Sequence, residues 1–376
     1  MTPETPDPYR MARDTTSDRQ SQLDALRAFG LITVVFVHTM HLRGPVYDDL
    51  GPMAMSLFFV LSGFLISGLL FDGREKAERL GVPRGTVLRR FYIRRFLRIF
   101  PIYYAVILAA YLLGEPVTRQ YIWQLVTYQT NFLVAANGNP IPPITPFWSL
   151  AVEEHFYLVW PLIALFGSRA FIWRSAIAMV VISVVARFAL KLNGLSYNAS
   201  TLPTYTSLDG IALGCILALV WRERNVEERA VWVRRALIAG LTMETIRLGL
   251  YLAPDSISAK LAIRTLHTLP TALICIWVVD RGAQDRLPAF LRHKVLAYLG
   301  LISYGAYVMH RYLIHAFGYD KTGGLRVFAV VLVTSIGLAI VSWTLFERPI
   351  NELKRFWPYV PKPKAVVATD ASMAAA

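Results

Sequence analysis

Arg27 and His38 lie eleven positions apart in one apolar segment, Leu23 to Leu42. At about 100° per residue they share one helical face, separated along the axis by roughly 16 Å. An imidazole that titrates near neutrality is suited to take a proton from a hydroxyl. A guanidinium can hold an anion or a developing negative charge. Ionisable groups inside a membrane span are costly to keep and mark a functional site by default. The structural alternative is that Arg27 snorkels to the headgroups and His38 bonds a neighbouring helix.

Other polar residues fall at related depths, counted at about 1.5 Å per residue. His38 comes to the outer third of its span, level with Glu154 and His310, and Asp209 is near the outer edge of its own. These groups predict a buried polar chamber facing outward, unless span boundaries shifted by a turn align them by chance. A second cluster is Arg89-Arg90-Phe91-Tyr92-Ile93-Arg94-Arg95-Phe96-Leu97-Arg98-Ile99-Phe100-Pro101. Its spacing predicts an amphipathic helix in the membrane interface. Anionic lipid headgroups are one partner for it; the other is an anionic cytosolic ligand, with Arg95 and Arg98 forked onto phosphates. A third is Glu153-Glu154-His155 within a span beginning at Phe147, where one acid can also serve to pair with an arginine of the bundle.

The elements that position these residues follow from composition. Of 376 residues, 55% are hydrophobic and 17% charged, with mean hydropathy +0.44, too apolar for a soluble chain of this length. The expected fold is an all-α, polytopic membrane bundle of about ten spans, near 23–42, 52–71, 99–113, 147–166, 172–190, 207–222, 233–252, 262–280, 295–317 and 325–346. Basic residues concentrate on alternate connections, Arg74 to Arg98, Arg169 and Arg174, Arg222 to Arg235 and Arg281 to Lys294. The other side carries few, mainly Arg43, Arg119, Lys260 and Lys321. This asymmetry predicts both termini in the cytosol.

Residues 1–22 are expected to form a cytosolic tail rather than a cleaved signal, 23–350 the membrane domain, and 351–376 a cytosolic tail ending in a disordered Ala-rich stretch. The segment after the third span, to Pro146, reads as an irregular outer loop able to line an acceptor entrance. The net charge of +14 does not indicate a nucleic-acid partner, because the basic residues punctuate apolar runs instead of gathering on a soluble face. Cys215 and Cys275 sit in apolar runs, which argues against disulfides and a metal site.

In order along the chain, Leu23-Asp24-Ala25-Leu26-Arg27 with His38, Phe58-Phe59-Val60-Leu61-Ser62-Gly63-Phe64-Leu65-Ile66, Arg95-Phe96-Leu97-Arg98-Ile99-Phe100-Pro101, Trp148-Ser149-Leu150-Ala151-Val152-Glu153-Glu154, Asp209-Gly210-Ile211-Ala212-Leu213-Gly214, Ile302-Ser303-Tyr304-Gly305-Ala306-Tyr307 with His310, and Glu347-Arg348-Pro349 resemble the bacterial acyltransferase 3 family of integral membrane O-acyltransferases. The resemblance covers nearly the whole chain, Leu23 to Ile350. It implies transfer of an acyl group, usually acetyl from acetyl-coenzyme A, to a hydroxyl of a glycan or other acceptor, in a bacterial inner membrane. It maps the family's first-span arginine and histidine onto Arg27 and His38. Its paired arginines that meet the nucleotide part of coenzyme A map onto Arg95 and Arg98, and its fourth-span acid onto Glu154.

On this basis His38 is the expected general base, with Glu154 orienting or charge-balancing it and Arg27 holding the donor or developing charge. Asp24, Glu153, Asp209 and His310 are acceptor-site or supporting candidates. Direct transfer and an acyl-histidine relay both remain open. The chain departs from the family at His155, where Gln is common, at Ser207, where arginine is common, and at His310-Arg311-Tyr312, where His-Trp-Pro is familiar. Larger relatives add a further span and an extracytoplasmic esterase-like domain, which this sequence is not expected to include. The rival functions are a transporter using the same buried His, Glu and Arg as a pathway, and a non-catalytic scaffold.

Overall fold

The computed structural model describes residues 11–42, 44–224, 226–252, 268–283 and 288–360. Arg43, Lys260, Arg286, the start of the expected eighth span and the ends of both tails lie outside the described residues.

Among the described residues the fold is all-helical, with ten long helices. They are α1 (Met11–Met40), α2 (Pro45–Arg79), α3 (Arg84–Leu112), α4 (Phe147–Phe166), α5 (Arg169–Leu192), α6 (Thr204–Glu223), α7 (Val226–Leu252), α8 (Thr268–Ala283), α9 (Lys294–Ala316) and α10 (Leu325–Ser342). Seven candidate membrane spans, within α1 to α6 and from α10 onward, are long and apolar enough to cross a bilayer. Helices α7, α8 and α9 occupy the other three expected positions.

The arginine-rich segment 89–101, expected as an amphipathic interfacial helix, forms part of α3 and is continuous through Pro101 with the expected third span. The buried side chains of α3 lie on both sides of Pro101, Val87, Phe91 and Ile99 before it and Ile102, Tyr103, Ile107 and Ala110 after it. Within a bundle, neighbouring helices tolerate the amide that proline removes.

The segment after α3 also differs from the irregular loop expected. It holds three short helices, Pro116–Gln120, Ile122–Val126 and Thr130–Asn137. The Glu115 carboxylate caps the first by accepting from the Val117 and Thr118 amides at 3.1 and 2.5 Å. Tyr128, stacked on Tyr103 with ring centroids 4.4 Å apart, fastens the segment to α3, and burial pushes its phenol far above the ordinary range.

Glycines set the closest helix approaches. Gly210 and Gly214 form a Gly-x-x-x-Gly stripe on α6 against α2, where a Cβ on Gly214 would strike the Val60 carbonyl and one on Gly63 the Ile211 carbonyl. On α9, Gly300 lies against the backbone of Asp24, where a Cβ would collide with the Asp24 carbonyl. That contact places α9 beside the α1 face bearing Arg27 and His38.

Residues 351–360, expected as the start of a tail, pack against α3. Arg90 donates to the Pro358 carbonyl at 2.6 Å and Arg94 to the Lys354 carbonyl at 2.9 Å. Arg94 also lies over the Tyr359 ring, 4.6 Å from its centroid.

Candidate functional site

Helix α1 carries His38 and Arg27 into two different environments. Near its C-terminal end His38 meets His310 of α9, with 2.9 Å between His38 Nδ1 and His310 Nε2 and the rings within 2° of parallel. His310 is fully buried, and its Nδ1 lies 2.6 Å from the Tyr307 carbonyl. A carbonyl only accepts, so His310 Nδ1 carries the hydrogen. With His310 as the neutral imidazole, its Nε2 accepts, and His38 Nδ1 must then donate. This chain of donors leaves the lone pair of a neutral His38 on Nε2.

His38 lines a cavity of about 400 Å³ together with Trp148, Phe59, Asp48, Lys191 and Tyr307. Arg187 and Asp209 face the same cavity and form a buried ion pair at 2.7 Å. Asp209 also accepts from Thr268 Oγ1 at 3.3 Å. Arg187 adds bonds to the Thr206 carbonyl at 3.2 and 2.7 Å. The sequence reading passed over Arg187. Its one signal was the missing arginine at position 207: the Ser207 hydroxyl donates to the Thr201 carbonyl, and the guanidinium comes from the neighbouring helix instead.

The other two departures make local contacts outside the cavity lining. His155 Nδ1 lies 2.6 Å from Thr204 Oγ1, and its ring stacks on Phe132. Arg311 pairs with Asp320 at 3.0 Å, and the Tyr312 hydroxyl is 2.8 Å from Thr118 Oγ1, tying α9 to the outer segments. Of the outer segment preceding α4, Thr145 and Pro146 reach the cavity.

Glu154 does not share the His38 cavity. It lines a separate side groove with Arg95, Tyr92, Phe96, Phe100 and Tyr157, between α3 and α4. Glu153 and Glu154, one residue apart on α4, diverge by about 100°. Glu153 turns to α2, accepting from Ser62 Oγ at 2.6 Å and from the Tyr157 hydroxyl at 3.2 Å.

About three turns toward the N-terminus of α1, Arg27 pairs with Asp24 at 2.6 Å. Arg98, with Arg27, Arg95, Asp24 and Glu347 as its electrostatic neighbours, donates to the Leu301 carbonyl at 3.1 Å and lies over the Trp343 ring, 5.3 Å from its centroid. Arg95 lies over Tyr157 at 4.9 Å, and the Lys354 amine lies among Arg94, Arg95 and Arg98. Among the described residues neither Arg95 nor Arg98 has a carboxylate within the 4.0 Å of an ion pair. Like charges gathered this closely, with so little direct neutralisation, suit an anionic ligand. The sequence reading missed Lys354, which lay in the expected tail. Among the described residues no group of three or more His, Cys, Asp or Glu side chains is arranged to hold a metal ion.

An acyltransferase domain family model, that of acyltransferase 3, matches residues 20–346. The chain is 26% identical to the O-acetyltransferase OatA of Staphylococcus aureus (strain MRSA252), over 92% of this chain and 60% of that protein. It is 27% identical to the peptidoglycan O-acetyltransferase OatA of Listeria monocytogenes serovar 1/2a (strain ATCC BAA-679 / EGD-e), over 80% of this chain and 50% of that protein. The alignments thus span 50–60% of the length of these curated relatives. No solved structure matches.

Proposed function

The chain belongs to the acyltransferase 3 family, and from that premise we propose that it is a multi-pass membrane O-acyltransferase moving an acyl group, acetyl first among them, from acyl-coenzyme A to a hydroxyl of a carbohydrate acceptor. The peptidoglycan named for the Listeria relative is the first acceptor to try. The observation that carries the reading is the Tyr307 carbonyl–His310–His38 chain ending on the cavity.

In this mechanism the acceptor hydroxyl lies in the cavity against His38 Nε2 and attacks the thioester carbonyl carbon. Its proton passes to Nε2, and the imidazolium keeps its Nδ1–H bond to His310. Collapse of the tetrahedral intermediate breaks the carbon–sulfur bond. The proton held by His38 returns to the departing sulfur, so the products are an ester and coenzyme A thiol. Trp148 and Phe59 offer apolar faces to the sugar ring.

The donor is held from the inner side, its phosphates on Arg95 and Arg98, with Arg27 in the same cluster. Arg27 and His38 are roughly 16 Å apart along α1, a distance for the flexible arm of the donor to cover. Glu154 belongs to the donor side of this scheme, beside Arg95. The matching topology is ten crossings of a bacterial inner membrane with both termini cytosolic.

The test uses full-length protein in lipid nanodiscs, supplied with radiolabelled acetyl-coenzyme A and peptidoglycan fragments. Label should reach the glycan with wild type and not with His38→Ala. If His38→Ala transfers at the wild-type rate, the assigned base is wrong. If wild type neither binds nor consumes the donor with any glycan offered, the enzyme reading falls.

A further inference from the structure

Helix α10 ends at Ser342, and the next turn, Trp343–Glu347, is wound as a π-helix. A π-turn inserts an extra residue per turn and redirects the side chains that follow it, and such turns recur at functional sites. Here Trp343 lies against Arg98 and Glu347 is turned into the bundle, 3% exposed. Space for its carboxylate comes from α9. A Cβ on Gly305 would sit 2.8 Å from Glu347 Oε1, so any larger residue there crowds it.

The carboxylate takes one hydrogen bond among the described residues. Ser342 Oγ donates to Oε1 at 3.0 Å, and among the described residues Oε2 takes no hydrogen bond. Arg98 is its electrostatic neighbour, yet the two stay beyond the 4.0 Å of an ion pair. The other carboxylate near Arg98, Asp24, is committed to Arg27. A buried acid that faces a buried guanidinium without closing on it leaves that guanidinium free to bond a third group. It also lowers the positive potential which that group meets.

We propose that Glu347 is the resident counter-charge of Arg98, positioned by the π-turn and Gly305 to oppose the anionic end of the donor and so to speed its departure. This rests on Arg95 and Arg98 being the donor site. The carboxylate keeps Arg98 in place between turnovers. When a phosphate arrives, Glu347 repels it at short range, setting an upper limit on affinity and easing release of the spent thiol.

The experiment measures coenzyme A binding by calorimetry, and its dissociation by stopped flow, on full-length protein in nanodiscs. The variants are Glu347→Gln, Glu347→Asp and Arg98→Ala. Glu347→Gln should bind coenzyme A three- to tenfold more tightly and release it correspondingly more slowly. Glu347→Asp, whose carboxylate is withdrawn by one methylene, should fall between Gln and wild type, and it serves alone if the Gln variant does not fold. Arg98→Ala should weaken binding at least tenfold. A merely structural Glu347 predicts the opposite sign. If Glu347→Gln or Glu347→Asp binds coenzyme A equally or more weakly while Arg98→Ala still loses it, the proposal is overturned and the donor site stands. If wild type does not bind coenzyme A, the donor site and this proposal fail together.

Discussion

The two ends of α1 solve opposite problems. At the C-terminal end each hydrogen-bonding atom of the histidine pair is assigned: the Tyr307 carbonyl fixes His310, His310 fixes His38, and the lone pair of neutral His38 falls on Nε2. Toward the N-terminal end Arg27, Arg95 and Arg98 crowd together, Asp24 answers one of them, and Glu347 holds back from another. A site that moves a proton profits from a fixed tautomer and few alternatives. A site that captures a polyanion profits from charge left over. The difference teaches that the histidine cluster should govern the rate of the chemical step and the arginine cluster the affinity for the donor.

His38→Ala is expected to have the largest effect, lowering kcat by about 10² to 10⁴ with the donor Kd unchanged, as loss of a general base does; single-turnover transfer and donor binding measured side by side check it. A comparable rise in donor Kd would erase the distinction between the two ends. Next is Asp209→Asn, which leaves the Arg187 guanidinium buried opposite a neutral amide. Its cost should be about 3 to 5 kcal/mol of stability, read as a lowered thermal midpoint in nanodiscs.

Arg95→Ala should raise the KM for donor about ten- to a hundredfold with kcat nearly unchanged, the loss of one or two charge-assisted bonds. An effect on kcat alone would place Arg95 at the chemistry instead. His310→Ala frees His38 to adopt either tautomer and should reduce kcat about tenfold without moving the donor KM, which steady-state titration of both substrates resolves. The smallest change is Tyr312→Phe. Losing the bond to Thr118 should cost about 1 kcal/mol of stability and nothing in either kinetic constant.

The helices were legible because a bilayer admits few backbone solutions, and nearly every apolar run of spanning length became one. His38 and His310 were legible from depth alone, since both lie about fifteen residues into spans expected to start on the same side, and equal rises of about 1.5 Å per residue bring them to one level. Glu154 shows the limit of that method. Depth put it level with His38, but depth carries no azimuth, and rotation about α4 turned it to a different groove. Arginines interleaved with aromatics suit a headgroup surface and an anion-binding cluster alike, so spacing left both partners open for this segment of α3. Arg187 and Glu347 needed tertiary contacts, since no spacing in the chain links either to its partner.

The atom that orients both histidines is the main-chain oxygen of Tyr307, and substitution does not remove a main-chain oxygen. A mutational scan of position 307 reports on the phenol, which meets Ser149 Oγ at 2.8 Å and the Pro146 carbonyl at 2.8 Å, and is blind to the acceptor one atom off the backbone. Residue 307 thus serves the site twice, by a main-chain atom that no substitution reaches and by a phenol that substitution would remove.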